Sequence, residues 1–218
     1  MTNSSRATIW IWIACLLALP AGGCNIGMQA MFLVQGPPKD PAAVTLPKDR
    51  PTAILLDDPA SKLPRREIRN IITKTAEDLL LHEKVITDGK LISSQSIGAA
   101  ALASEGGKPI SVVDAGRRVG AEIVIYAEVA EWSLVANGES VSPAVTLQVR
   151  VLDTLKNERI FPAGEATYPV KASLPVSGGN ESRSALERAL AAKAGLALAQ
   201  MFYEHERVQL QNQRPTDL

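Results

Sequence analysis

Cysteine is nearly absent from the 218 residues: Cys15 and Cys24 are the two, and both lie near the N-terminus. Neither a disulfide framework nor a cysteine-rich metal site can be built from them. Net charge is also lacking, because 23 Lys and Arg balance 23 Asp and Glu. A nucleic-acid binder that relies on phosphate contacts carries a basic excess, so that class is set aside. No apolar run reaches the roughly 18 residues that span a bilayer, which argues against a polytopic membrane protein. No G-x-S-x-G nucleophile elbow is present. What the chain does have is 46% hydrophobic and 21% charged residues, enough apolar matter for a core and too much for global disorder. The length suits one ordinary domain plus extra sequence.

That extra sequence sits first. Residues 1–8 are polar with one base, Arg6, and residues 9–19 (IWIWIACLLAL) form an apolar stretch too short to span and of the right length for a signal-peptide core. Pro20-Ala21-Gly22-Gly23-Cys24 follows. Small residues before a cysteine resemble the lipobox of bacterial lipoproteins. The resemblance implies cleavage between Gly23 and Cys24, diacylglycerol on the Cys24 thiol, and often acylation of the new N-terminus. The other reading is an ordinary secretory signal in which Cys24 is a bystander. On the lipoprotein reading, residues 1–23 are the signal peptide, and the protein is a lipid-anchored envelope protein facing the periplasm. Two or more acyl chains, at roughly 0.8 kcal/mol per buried methylene, anchor stably. Asn25 is not the aspartate that holds lipoproteins in the inner membrane, which points to the outer one. Ile26–Val34 is apolar and either lies in the interface or packs on the domain. Residues 35–51 contain five prolines and read as an extended tether, so residues 24–51 together form anchor and tether.

From residue 52 to 207 the pattern is that of one α/β domain. TAILLDD (52–58) reads as a buried strand. Ile68, Ile71, Ile72, Ala76, Leu79 and Leu80 repeat at helical spacing over about 64–84. Val85-Ile86 reads as a brief strand before the Asp88-Gly89 turn. Residues 94–103 read as an Ala-rich helix, 104–109 as a loop, and Ser111–Asp114 as a capping box opening a short helix that ends at Arg117, Arg118 and Gly120. Residues 121–134 begin as a continuous apolar run, as expected where both faces of a strand are covered. Asn137-Gly138 is a hairpin turn signal. Val145, Leu147, Val149 and Val151 alternate with Thr146, Gln148 and Arg150, the mark of a half-buried antiparallel strand. Residues 158–161 and 166–170 continue the sheet, with Pro162 and Gly164 marking a bulge or kink. Ser184–Glu187 reads as a second capping box, opening a last helix whose inner stripe is Leu186, Leu190, Ala194, Ala197, Met201 and Phe202. Residues 208–218 form a polar tail. The expected fold is a mixed four- to five-stranded sheet with an antiparallel meander and helices mainly on one face.

Ala115–Val129 (AGRRVGAEIVIYAEV) resembles the "lGAdyvitGtV" signature of envelope lipoproteins of the CsgG/LpoB type, related in shape to the TolB N-terminal domain. Leu147–Ile160 resembles their "lrlvDvktGevl" hairpin, and AILLDD fits their first strand; together these span about 52–203. The resemblance implies a role in assembly or activation at the membrane through a protein partner. Neither specific activity carries over. CsgG makes its pore from long membrane hairpins, and no paired alternating segments of about 9–11 residues occur here. LpoB has a long tether, and the one here spans roughly 25–30 Å as a coil.

The residues that could carry chemistry have plain alternatives. His82-Glu83 lacks the second histidine of a zinc H-E-x-x-H motif, and Glu204-His205-Glu206 reads as the charged end of the last helix. Asp57-Asp58 could join Asp114 around a cation, but a strand-end turn fits better. Gly106-Gly107-Lys108 has the wrong spacing for a phosphate loop. Lys62, Arg65 and Arg66 could touch anionic headgroups or simply open a helix. Trp132 is an interface anchor or a rim core residue. Asn180-Glu181-Ser182 is a glycosylation sequon by letters only. No catalytic set, cofactor or metal site is assigned. An envelope hydrolase or metal enzyme would need such a set. The reading adopted is a non-catalytic, lipid-anchored interaction module that binds another envelope protein through the face bearing Thr146, Gln148 and Arg150, or beside Trp132. Its oligomeric state is left open.

Overall fold

Alternation along residues 144–153 sets the centre of the sheet, and the computed structural model bears it out: every second side chain of strand Ala144–Asp153 is buried. The structure describes residues 38–105, 108–134, 143–175 and 182–207. The signal segment, Gly23 and Cys24, Gly106-Gly107, the Asn137-Gly138 turn, Asn180-Glu181 and the tail from 208 lie outside them.

The described elements are β1 (Lys39–Asp40), β2 (Thr52–Asp57), α1 (Arg66–His82), β3 (Leu91–Ile92), α2 (Ser94–Leu102), β4 (Ser104–Glu105), β5 (Lys108–Pro109), α3 (Val112–Arg118), β6 (Ile123–Ser133), β7 (Ala144–Asp153), β8 (Glu158–Phe161), β9 (Tyr168–Ser173), α4 (Arg183–Gln200) and β10 (His205–Glu206). They fall into two compact units. In the smaller, β1 pairs antiparallel with β10, and the Arg207 guanidinium donates to the Asp40 carboxylate. His205 is thus in a short strand, not at the end of the last helix. The other unit, Pro41–Glu204, holds the main sheet.

That sheet has the order β3-β2-β6-β7-β8, with β9 also on β7. β2 is parallel to β3 and β6; the remaining pairs are antiparallel. β8 and β9 both pair with β7, β8 along Val151–Asp153 and β9 along Ala144–Val149. The break anticipated at Pro162 and Gly164 is therefore an excursion between two halves of one edge strand. Val85 and Ile86 are buried but form no strand; β3 follows the Asp88-Gly89 turn, where Gly89 takes φ +79°. Ser104–Glu105 and Lys108–Pro109, expected as a loop, pair with each other.

Two crossovers run in opposite directions across the sheet, one from β2 through α1 to β3 and one from β3 through α2 and α3, back past β2, to β6. Crossovers of the same hand then put their helices on opposite faces. One core accordingly gathers Ile54, Leu56, Ile123, Ile125 and Val149 beneath α1 and α4, and a smaller one gathers Ala53, Leu55, Val124 and Tyr126 beneath α2 and α3. The long helices do cover one face, as expected, and the short pair covers the other over β2 and the start of β6. That is why β6 opens as a continuous apolar run. The opposite face of β7 has no helix over it among the described residues.

Local sequence explains the joints. Ser111 Oγ accepts from the Asp114 amide, so the first capping box is real. The second shifts by two residues: Ser182 Oγ accepts from the Ala185 amide, and Glu187 is turned inward. The buried stripe of α4 therefore includes Leu190 and Ala194 but also Glu187, Ala191, Gly195, Leu198 and Ala199, while Leu186 and Ala197 are half-buried. Gly195 lets α4 press on α1, since a Cβ there would stand 2.5 Å from the Ile72 carbonyl oxygen. Residues 41–51, assigned to the tether above, fold into the unit: Leu46 is buried, Ala43 donates its amide to the Met201 carbonyl, and Arg50 donates to Glu122 Oε2 and Asp153 Oδ2, each at 2.7 Å.

Candidate functional site

The open part of the sheet is built from four neighbouring strands, β2, β6, β7 and β9, whose register is fixed by hydrogen bonds. Opposite one another stand Glu131, Thr146 and Lys171 in one row, and Asp57, Glu128, Gln148 and Pro169 in the next. Tyr126 faces Arg150 in a third. The Arg150 guanidinium lies 4.7 Å from the centre of the Tyr126 ring, a cation–π geometry that fixes its direction. Tyr126 Oη donates to Asp57 Oδ2 at 3.0 Å, and Thr167 Oγ1 to Gln148 Oε1 at 2.8 Å. Burial, helped by the Asp57 carboxylate, pushes the Tyr126 phenol well above its ordinary pKa, so it stays a donor. Carboxylates line the β2–β6 side of this face and bases the β7–β9 side.

Thr146, Gln148 and Arg150 thus sit together, as the alternation implies, and all three are half-buried. Trp132 does not join them. The β6–β7 register shifts between Val129 and Glu131, leaving Ala130 as an extra residue. One inserted residue moves every later side chain to the other face. Trp132 therefore pairs with Val145 and packs against the larger core, so it is a rim core residue. The bulge is held by Lys62, whose Nζ donates to the Ala130 carbonyl. Glu128, Glu131 and Lys171 complete the patch and were not anticipated; the alternation Ala127-Glu128-Val129 and the exposed-buried pattern of β9 carry that signal.

The other candidates are used elsewhere. Asp58 accepts from the Lys62 and Leu63 amides and so closes the strand-end turn. Asp114 accepts from Ser111 Oγ at 2.6 Å, and no group of His, Cys, Asp or Glu among the described residues is arranged to hold a metal ion. His82 is exposed and sits 3.1 Å from Glu83. The basic cluster is divided: Lys62 holds the bulge, Arg65 pairs with buried Glu187, and Arg66 is exposed. Arg183 also reaches Glu187, at 3.2 Å, and the two guanidiniums, Arg65 foremost, hold that carboxyl below its ordinary pKa. Ser182 of the sequon caps α4. No helix among the described residues is long and apolar enough to cross a membrane. Gly23 and Cys24 lie outside those residues.

No family model matches the sequence, and no curated protein matches it. Solved structures similar to the chain include bacterial lipoproteins. The PelC dodecamer from Paraburkholderia phytofirmans is 12% identical, covering 76% of this chain and 96% of that one, with a TM-score of 0.45. Lipoprotein GNA1162 from Neisseria meningitidis is 13% identical over 67% and 93%, with a TM-score of 0.38. The LpoB C-terminal domain from Salmonella enterica is 20% identical over 68% and 92%, with a TM-score of 0.29.

Proposed function

We propose that the chain is a lipid-anchored cell-envelope protein whose α/β domain binds another envelope protein and carries out no catalysis itself. The observation that carries this reading is the open half of the sheet face, where Glu128, Glu131, Thr146, Gln148, Arg150 and Lys171 are set in register on paired strands. Side chains fixed by a sheet lose little further freedom on binding, which favours recognition of a specific partner. Charges of both signs in separate stripes give a partner its orientation more than its affinity. Cys24, through the lipobox resemblance, supplies the membrane attachment, and Asn25 favours the outer membrane. The CsgG/LpoB-type resemblance of residues 115–129 supports a role in assembling or activating an envelope complex.

The test is crosslinking of the full-length lipoprotein in intact cells, followed by purification and identification of the joined protein. Wild type is expected to incorporate labelled palmitate, and Cys24→Ala not to. Arg150→Glu combined with Lys171→Glu is expected to lose the crosslinked partner while keeping the thermal melt. An unchanged partner yield, or substrate turnover abolished by Asp58→Ala or His82→Ala in a folded protein, would overturn the proposal.

A further inference from the structure

We propose that the cleft at the carboxyl end of β2 binds a small zwitterion, a free amino acid or a short peptide, with Asp57 taking its ammonium group and Arg69 its carboxylate. This goes beyond the partner-binding reading and stands or falls separately from it. The cleft follows from the topology. The chain passes from β2 to β3 on one side and then from β3 to β6 on the other, and in such sheets a crevice opens outside the carboxyl ends of the strands where the direction reverses, here at β2. Here α1 and α2 flank it, and its volume is about 270 Å³. That is slightly below the roughly 300–1,000 Å³ of sites for drug-sized ligands, so the occupant is small.

The lining decides the chemistry. Asp57 and Arg69 both face the cleft, and neither makes an ion pair with any described residue. Opposite charges in one cleft that do not pair are complementary to a ligand bearing both. Asp57 is held in place without being used up: Oδ1 accepts from the Asp58 amide at 2.9 Å and Oδ2 from Tyr126 Oη, and each oxygen keeps a further lone pair. The start of α2 is closed to an anion, because Glu77 Oε1 accepts the Ser94 amide at 2.6 Å and Ser93 Oγ the Gln95 amide. A ligand carboxylate is therefore left to the Arg69 guanidinium, whose paired donors fit it, with Asn70 beside it. Leu55, Ala101, Ile110 and Val112 supply an apolar wall for the aliphatic part. One carboxylate is too few for a bare metal ion.

The experiment is ligand-observed NMR and calorimetry on the full-length chain in detergent micelles. The probes are the free L-amino acids and the alanyl dipeptides, and then the N-acetylated and C-amidated forms of the best binder. At least one zwitterion is expected to bind with a Kd of about 1 mM or tighter, and either blocked form roughly tenfold more weakly. Asp57→Asn should abolish the preference for the free amine and keep that for the free carboxylate; Arg69→Gln should do the reverse. Should Asp57→Asn fail to fold, Arg69→Gln decides by itself, since its half-exposed side chain makes no hydrogen bond to a described residue. Absence of any binder, equal binding of blocked forms, or wild-type preference in Arg69→Gln would overturn the proposal.

Discussion

Trp132 and Arg150 point to opposite faces of the same sheet, although both hold a buried donor nitrogen without a partner among the described residues. The extra residue Ala130 separates them. Trp132→Ala should therefore cost about 2–4 kcal/mol through lost packing and leave the open face intact, whereas Arg150→Ala should change partner binding with a small effect on stability. Thermal melts of the two variants beside a crosslinking assay check this. Equal melts would place Trp132 on the open face after all.

Val149 is fully buried and Gln148, its neighbour, stands on the open face. Val149→Asp should destabilise by several kcal/mol, since it buries a charge with no partner, and Gln148→Asp by under about 1 kcal/mol. Urea denaturation of both measures the difference, and similar midpoints would mean that the register given for β7 is wrong.

Gly195 and Gly98 both lie in helices but differ in what surrounds them. A methyl group at Gly195 would meet the Ile72 carbonyl oxygen at 2.5 Å and Thr75 Cβ at 2.7 Å, whereas one at Gly98 meets nothing within 4 Å. Gly195→Ala should cost about 1–3 kcal/mol by forcing α4 away from α1. Gly98→Ala should stabilise by about 0.4–1 kcal/mol through the unfolded chain. Opposite shifts in melting temperature are the expected result.

Asp153 is held at a pKa of about 2, below its usual 3.8, chiefly by its hydrogen bond from Arg50, with the Leu155 and Lys156 amides adding to it. A carboxyl whose folded pKa is lowered favours the folded state above its unfolded pKa. That contribution, up to about 2 kcal/mol, is complete above about pH 4 and is lost as pH falls towards 2. Arg50→Gln should lower stability at pH 7 and flatten the loss between pH 4 and 2. Denaturation midpoints across that range test the sign.

Much of the fold is written in local pattern. The four-residue spacing of Ile68, Ile72, Ala76 and Leu80 makes α1, and the two-residue alternation of Val145 to Val151 makes β7 and puts Thr146, Gln148 and Arg150 on one face. Ser111 announces α3 through a hydrogen bond three residues long. Such features need only neighbours in sequence, so the sequence by itself determines them. Other features depend on residues far apart in the chain. Lys62 holds the bulge that turns Trp132 inward, 68 residues away. Arg65 draws Glu187 out of a capping role 122 residues away, and Arg50 binds residues 41–51 to Glu122 and Asp153. Tertiary structure also decides that β8 and β9 share one edge of β7, and that Asp57 and Arg69 meet in a cleft. A period of 2 or 3.6 encodes which side of an element is buried; it does not encode which distant charge or carbonyl will be there to receive it.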